Sequence, residues 1–109
     1  IYVSSFGGSI YDGLALVGAI ESSDTPVHTI VNGKAMSMGV IIALAGHKRY
    51  ATKYSTFMVH SVSSVTWGQL KDMEESVEQT AKLQKLLFNY IEEHTSITKK
   101  KLKKIYKEK

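Results

Sequence analysis

Twice within its first 62 residues the chain moves from a short strand-like run, through a glycine-bearing turn, into a helical run. That cadence leaves few architectures open. Residues 2–4 follow an apolar residue and read as a strand, and Phe6-Gly7-Gly8-Ser9 reads as a turn, because paired glycines reach backbone angles that other residues resist. Ser9 is placed to cap a helix over residues 10–21, in which Ile10, Leu14, Val17 and Ile20 recur at helical spacing. Ser22-Ser23-Asp24-Thr25-Pro26 ends it. Residues 27–31 read as a second strand, Asn32-Gly33 as a turn, and residues 36–45 as a buried helix broken by Gly46-His47-Lys48. Strands follow at residues 49–52 and 56–62. Strands joined by helices cannot close as tight hairpins, so the expected fold class is α/β with a mainly parallel sheet.

The second half is dominated by one rod. Residues 66–94 read as a single helix with Leu70, Met73, Val77, Leu87 and Ile91 on one side. At about 1.5 Å per residue it is roughly 43 Å long, more than so small a body can cover. A rod that overhangs its own domain calls for a partner. Thr98 is placed to cap a last short helix with Leu102, Ile105 and Tyr106 facing inward.

Bulk properties narrow the function classes. A chain of 109 residues makes one small domain. It has no cysteine, which excludes disulfides, thiol nucleophiles and cysteine metal sites. No run of about 18 apolar residues suggests a transmembrane helix, and the start at Ile1 shows no signal-peptide pattern. The chain reads as a piece that begins inside a strand. Its net charge of +4 is unevenly spread. Residues 99–109 hold seven lysines and one glutamate, leaving seven basic and nine acidic residues for the rest. A lysine run on a short amphipathic helix is most simply a solvated face, so neither nucleic acid nor membrane is an expected partner.

Three features carry chemistry. Ser37 sits in Val31-Asn32-Gly33-Lys34-Ala35-Met36-Ser37-Met38-Gly39-Val40, at the start of a helix after a glycine turn. Free amides and the helix dipole favour negative charge there, and the amide of the residue after an acyl-transfer serine can help hold an oxyanion. The bland alternative is a small residue chosen for packing. Gly7 and Gly8 offer a second set of accessible amides, although most such pairs are only turns. His60 ends the apolar run Thr56-Phe57-Met58-Val59, where a neutral imidazole could accept the serine proton and return it to a leaving amine; a core histidine with satisfied hydrogen bonds is the competing view. His28 lies mid-strand, His47 in a turn and His94 at a helix C-terminus, where a cation complements the dipole. The four histidines have no metal-ligand spacing, and no metal is expected.

In order and spacing, "VSSFGGSIYDGLALVGAI", "VNGKAMSMGVIIALAG" and "FMVHS" resemble the proteolytic subunit of the Clp protease family. "EEHTS" resembles that family's His-Thr-Gly, and the likeness runs through essentially the whole chain. The most specific signal is Gly-x-Ala-x-Ser-Met-Gly at residues 33–39. The resemblance implies a crotonase-like (Clp/crotonase) α/β fold with a long handle helix. Residues 1–65 would be a head carrying nucleophile and base, 66–94 the handle, and 95–109 the start of a C-terminal region. It implies a serine endopeptidase with Ser37 as nucleophile, His60 as general base, and the Gly8 and Met38 amides as oxyanion donors. Ser9, Ile10, Val62 and Ser63 match edges that pair with an extended substrate backbone. Implied partners are further copies of the chain in stacked seven-membered rings, a ring-shaped AAA+ unfoldase, and peptide or unfolded-protein substrates. No cofactor is implied, and nothing resembles a phosphate loop. The implied compartment is the cytoplasm, with organellar or phage origin also open.

The chain departs from the family pattern at instructive places. The family triad ends in an aspartate, which the register puts at Lys109 or just beyond it. Asp12, Asp24 and Asp72 belong to other elements, and Glu108 is the nearest acid. Either the aspartate follows the given residues, which the mid-strand start favours, or the acid is lacking. Phe6 stands where the family usually has proline, Ser61-Val62 where it has Gln-Pro, and Lys34 where glutamine is common. Two rival readings stay open: a catalytically impaired ring subunit, and a Ser-Lys peptidase of related fold using Lys34 or Lys53.

Overall fold

A computed structural model describes residues 1–60, 70–97 and 100–101. The chain divides into two compact units, Ile1–Val59 and His60–Lys109.

The first unit is a parallel sheet with helices, as the cadence of the sequence predicts. β1 (Tyr2–Ser5) leads to α1 (Ile10–Glu21), β2 (His28–Met36), α2 (Met38–Ala45), β3 (Lys48–Ala51) and β4 (Thr56–Met58). β2 is central. β1 pairs along one edge of it, while β3 lies against residues 28–31 and β4 against residues 34–36 of the other, all parallel. α1 spans the expected residues. The Ser9 hydroxyl accepts the Asp12 N–H at 3.3 Å, and Asp12 adds an acid to the first turn, where the dipole favours it. Both the amide and the hydroxyl of Ser22 bond the Gly18 carbonyl and close the other end. Val3, Val31, Ala35, Val40 and Ala43 form one buried cluster between sheet and α2. At the far end of α2 the buried Thr29 hydroxyl donates to the Ala43 carbonyl at 2.6 Å. His47 is a clasp: its Nδ1 accepts the Val27 N–H at 2.9 Å and its own amide bonds the Val27 carbonyl at 2.8 Å.

Three boundaries differ from the sequence reading. The predicted turn at Asn32-Gly33 is not the end of a strand, because β2 runs on to Met36. Between the pairs Val3–Val31 and Ser5–Ala35, one residue of β1 opposes three of β2, so the strand bulges. Gly33 takes φ +99°, which glycine permits without strain. The Ser55 hydroxyl accepts the Gly33 N–H at 3.3 Å and donates to the Val31 carbonyl at 3.0 Å, standing in for the missing ladder. The second helix begins at Met38 rather than Met36, since Met36 still pairs with Met58. The last strand stops at Met58, short of Val59 and His60.

The second unit contains α3 (Leu70–His94), 25 residues long and therefore about 37 Å. From residue 78 onward Phe88 and Ile91 are buried, with Leu83, Gln84 and Leu87 half-buried on the same stripe and Glu78, Lys82, Lys85 and Glu92 exposed. The sequence reading marked Leu87 and Ile91 but passed over Phe88. His94 closes the helix, its ring 3.9 Å from that of Tyr90 and its Nδ1 2.8 Å from the Tyr90 carbonyl oxygen. Residues 66–69 of the predicted rod, and Thr98 with Leu102, Ile105 and Tyr106, lie outside the described residues. No helix among the described residues is long and apolar enough to cross a membrane.

Candidate active site

Ser37 joins the end of β2 to the start of α2, and it does so at φ 56° and ψ −121°. It is the one non-glycine residue with positive φ among those described. Such a conformation costs an L-residue about 1–3 kcal/mol and persists only where surrounding contacts hold it. Here they are identifiable. The Ser37 N–H donates to the Met58 carbonyl of β4 at 2.8 Å, and the Ser37 carbonyl accepts the Val40 N–H at 3.1 Å. The chain thus turns sharply out of a central strand and straight into a helix. The Ser37 side chain makes no capping hydrogen bond, and the residue is half-buried. Met38 and Gly39, both buried, form the first turn of α2, where amide groups face outward and a negative charge is favoured.

The glycine turn after β1 meets this serine directly. Gly7 has φ +109°, and its amide donates to the Ser5 hydroxyl at 3.0 Å. A methyl group at Gly7 would lie 2.8 Å from Ser37 Cβ, 3.0 Å from the Met36 carbonyl oxygen and 3.4 Å from the Met38 nitrogen. A β-carbon at Gly8 would meet nothing within 4 Å. The two glycines therefore do different things: Gly7 lets the loop close onto the serine turn, and Gly8 faces open space beside it. The sequence singled out the pair but could not divide the roles. Two further close approaches align the helices. Gly39 abuts Ser5, with Cβ–Cβ 3.2 Å for a built methyl, and Gly13 of α1 packs on the Met38 side chain.

Ser9 and Ile10 follow this loop as the N-cap and first residue of α1, and the Ser9 carbonyl accepts the Gly13 N–H at 3.0 Å. His60 is half-buried and opens the second unit, two residues after the Met58 whose carbonyl holds Ser37. Val62, Ser63 and the position at or after Lys109 expected for a third acid lie outside the described residues. The remaining histidines have structural contacts: His47 clasps Val27, His94 stacks on Tyr90, and His28 tilts against Tyr50 at 6.1 Å. Among the described residues there is no cluster of three or more side chains able to hold a metal ion.

Lys34 and Phe6, two of the departures from the family pattern, meet in space. The Lys34 Nζ is 4.4 Å from the Phe6 ring centroid and 3.4 Å from the Ser4 hydroxyl. Lys53 rests over Tyr54 at 5.4 Å. Sequence reasoning did not join Phe6 to Lys34, because 28 positions separate them and the bulge in β2 brings them together.

Comparison with known proteins agrees with the resemblance. A relative from Deinococcus radiodurans, "ATP-dependent Clp protease proteolytic subunit", is 35% identical over 104 residues, covering 94% of this chain and 51% of its own length. One of the same name from Bacteroides thetaiotaomicron is 35% identical over 97 residues, covering 87% and 44%. "ATP-dependent Clp protease proteolytic subunit 2" of Bacillus licheniformis is 37% identical over 105 residues, covering 94% and 55%. The chain thus spans about half the length of the curated relatives it matches. The sequence model described as Clp protease matches residues 1–108, and with that match the chain belongs to the Clp protease family.

Proposed function

We propose that the chain provides the nucleophile and base of a serine endopeptidase subunit in an ATP-dependent Clp-type protease, on a crotonase-like (Clp/crotonase) fold with residues 66–94 as handle. The observation that carries this reading is the backbone of Ser37, a strained strand-to-helix turn with a glycine loop pressed against it. A turn of that shape presents a hydroxyl at the tip of a sheet with helix amides behind it, which is what acyl transfer requires.

In the proposed reaction the Ser37 Oγ attacks the carbonyl carbon of a peptide bond and its proton passes to His60. The carbonyl π pair moves onto oxygen, which the amides of Gly8 and Met38 stabilise. When the intermediate collapses, the C–N bond breaks and the amine takes its proton from His60. Water, deprotonated by the same imidazole, then attacks the acyl group and releases Ser37. Two features support His60 and Gly8 in these roles. Met58, two residues before His60, is hydrogen-bonded to Ser37 itself, and the open side of Gly8 leaves room for a substrate beside its amide. An acid at or beyond Lys109 would orient the imidazole. Ser9 and Ile10 on one side, and Val62 and Ser63 on the other, would pair with an extended substrate backbone, a mode that accepts many sequences. In the same reading the subunit works in a cytoplasmic assembly of stacked seven-membered rings fed with unfolded protein by an AAA+ unfoldase; the names of the relatives, each a proteolytic subunit of an ATP-dependent protease, support the subunit role and the dependence on ATP. Lys34 sits on Ser4 and Phe6, and Lys53 on Tyr54, an arrangement that favours histidine over lysine as the base.

A fluorophosphonate probe tests the reading. It should label the protein at Ser37, leave Ser37→Ala unlabelled, and react far more slowly with His60→Ala. Equal labelling of the protein and Ser37→Ala would refute the nucleophile, and undiminished labelling of His60→Ala would transfer the base role to a lysine.

A further inference from the structure

The bulge in β2 has a chemical consequence. It inserts two extra residues opposite Ser4, with Gly33 at φ +99° at its crest and the Ser55 hydroxyl satisfying its backbone. Bulges re-aim the side chains that follow them. The side chain re-aimed here is Lys34, whose Nζ reaches over β1 to the Ser4 hydroxyl and the face of the Phe6 ring. Phe6 is 75% exposed, so burial does not hold the ring in place. The next residue is Gly7, which touches the Ser37 turn, and Gly8 follows it. A Gly-Gly pair is the most freely rotating dipeptide available, so something outside the pair has to restrict it. Lys34 is attached to the strand that carries Ser37, and Phe6 to the loop that faces Ser37. The contact between them ties the two together.

We propose that Lys34 is a positioning residue: its ammonium clamps the Phe6 ring and thereby holds the backbone of Gly7 and Gly8 in place at the Ser37 turn. The kinetic consequence rests on the reading of Ser37 as nucleophile and Gly8 as oxyanion donor; the mechanical consequence does not. An exposed cation–π contact corresponds to a factor of about two to five. Because oxyanion donors act on charge that develops in the transition state, the factor belongs in kcat and not in KM.

The test uses the full chain with Lys34→Met, Lys34→Arg, Phe6→Leu, Phe6→Tyr and the double variant K34M/F6L. Amide hydrogen exchange at Gly7, whose N–H donates to the Ser5 hydroxyl, is one readout, with exchange at Val31 and Ala35 as the control for folding; peptide hydrolysis is the other. Exchange at Gly7, whose N–H is held by the Ser5 hydroxyl, should rise about two- to five-fold in Lys34→Met and in Phe6→Leu, with no further rise in the double variant. It should return toward the original rate in Lys34→Arg and Phe6→Tyr, which keep the cation and the ring. The kcat should fall by the same factor with KM unchanged. Unaltered glycine exchange, additive effects in the double variant, or Lys34→Arg as impaired as Lys34→Met would each overturn the clamp. If the protein shows no Ser37-dependent hydrolysis, the proposed function fails, and the exchange measurements still decide the clamp.

Discussion

Six of the eight residues of α2 are buried, and none carries a charge; from residue 78 to the end of α3 only Phe88 and Ile91 are buried, among many charges. The two helices are held by different physics. α2 is wedged against the sheet, and its neighbours approach at backbone distance: Gly39 against Ser5, Gly46 against Thr29, Gly7 against the serine that precedes it. α3 presents a narrow apolar stripe at helical spacing, with water on the opposite side. In the first region an added methyl is the threat, and in the second a deleted one. A strained turn needs the first kind of packing, because contacts at backbone distance keep Ser37 at φ 56°.

Substitutions can break that contrast. The largest expected effect is at Gly7. Gly7→Ala puts a methyl 2.8 Å from Ser37 Cβ at a φ of +109°, and should cost about 2–4 kcal/mol in chemical denaturation and most of the Ser37 labelling. Gly8→Ala is its control, since the new methyl meets nothing, and should stay within about 0.5 kcal/mol. Equal effects at the two glycines would erase the distinction between them. In the helical stripe, Ile91→Ala removes a side chain only 3% exposed and should cost about 2–4 kcal/mol, whereas Leu86→Ala, at 45% exposure, should cost well under 1 kcal/mol. Comparable losses there would show that α3 does not rest on its stripe. Between the two kinds of contact stands Thr29, whose hydroxyl bonds the Ala43 carbonyl in a fully buried site. Thr29→Val keeps the shape and strands that carbonyl, so thermal melting should report a loss of about 1–2 kcal/mol. The smallest expected effect, the two control substitutions aside, is relief of strain at the centre. Ser37→Gly should raise stability by about 1 kcal/mol, because glycine tolerates positive φ, while Ser37-dependent chemistry disappears. Activity retained in that variant would end the case for Ser37.

Local signals proved readable where the partner groups are close in sequence. α1 has its predicted bounds because its cap, first-turn acid and apolar spacing all lie within a dozen residues. The parallel sheet followed from strands separated by helices. The Asn32-Gly33 pair misled for the opposite reason. In sequence it looks like a turn, and it becomes a bulge only because Ser55, more than twenty residues on, supplies the hydrogen bonds that let β2 continue. The predicted end of β4 was also too late, since alternation of apolar residues does not register where a partner strand runs out. β2 ends its pairing at Met36, and β4 ends with it at Met58.

Residue chemistry and spacing alone determined the class of sheet, the first helix, and the choice of Ser37, the glycine pair and His60 as the positions to watch. Tertiary structure decided which glycine touches the serine, that the serine sits in a strained turn braced by Met58, and that Lys34 and Phe6 meet across two strands. The division has a physical cause. Propensity, capping and periodicity are set by neighbours along the chain, whereas strain and close approach exist only once distant segments press on one another.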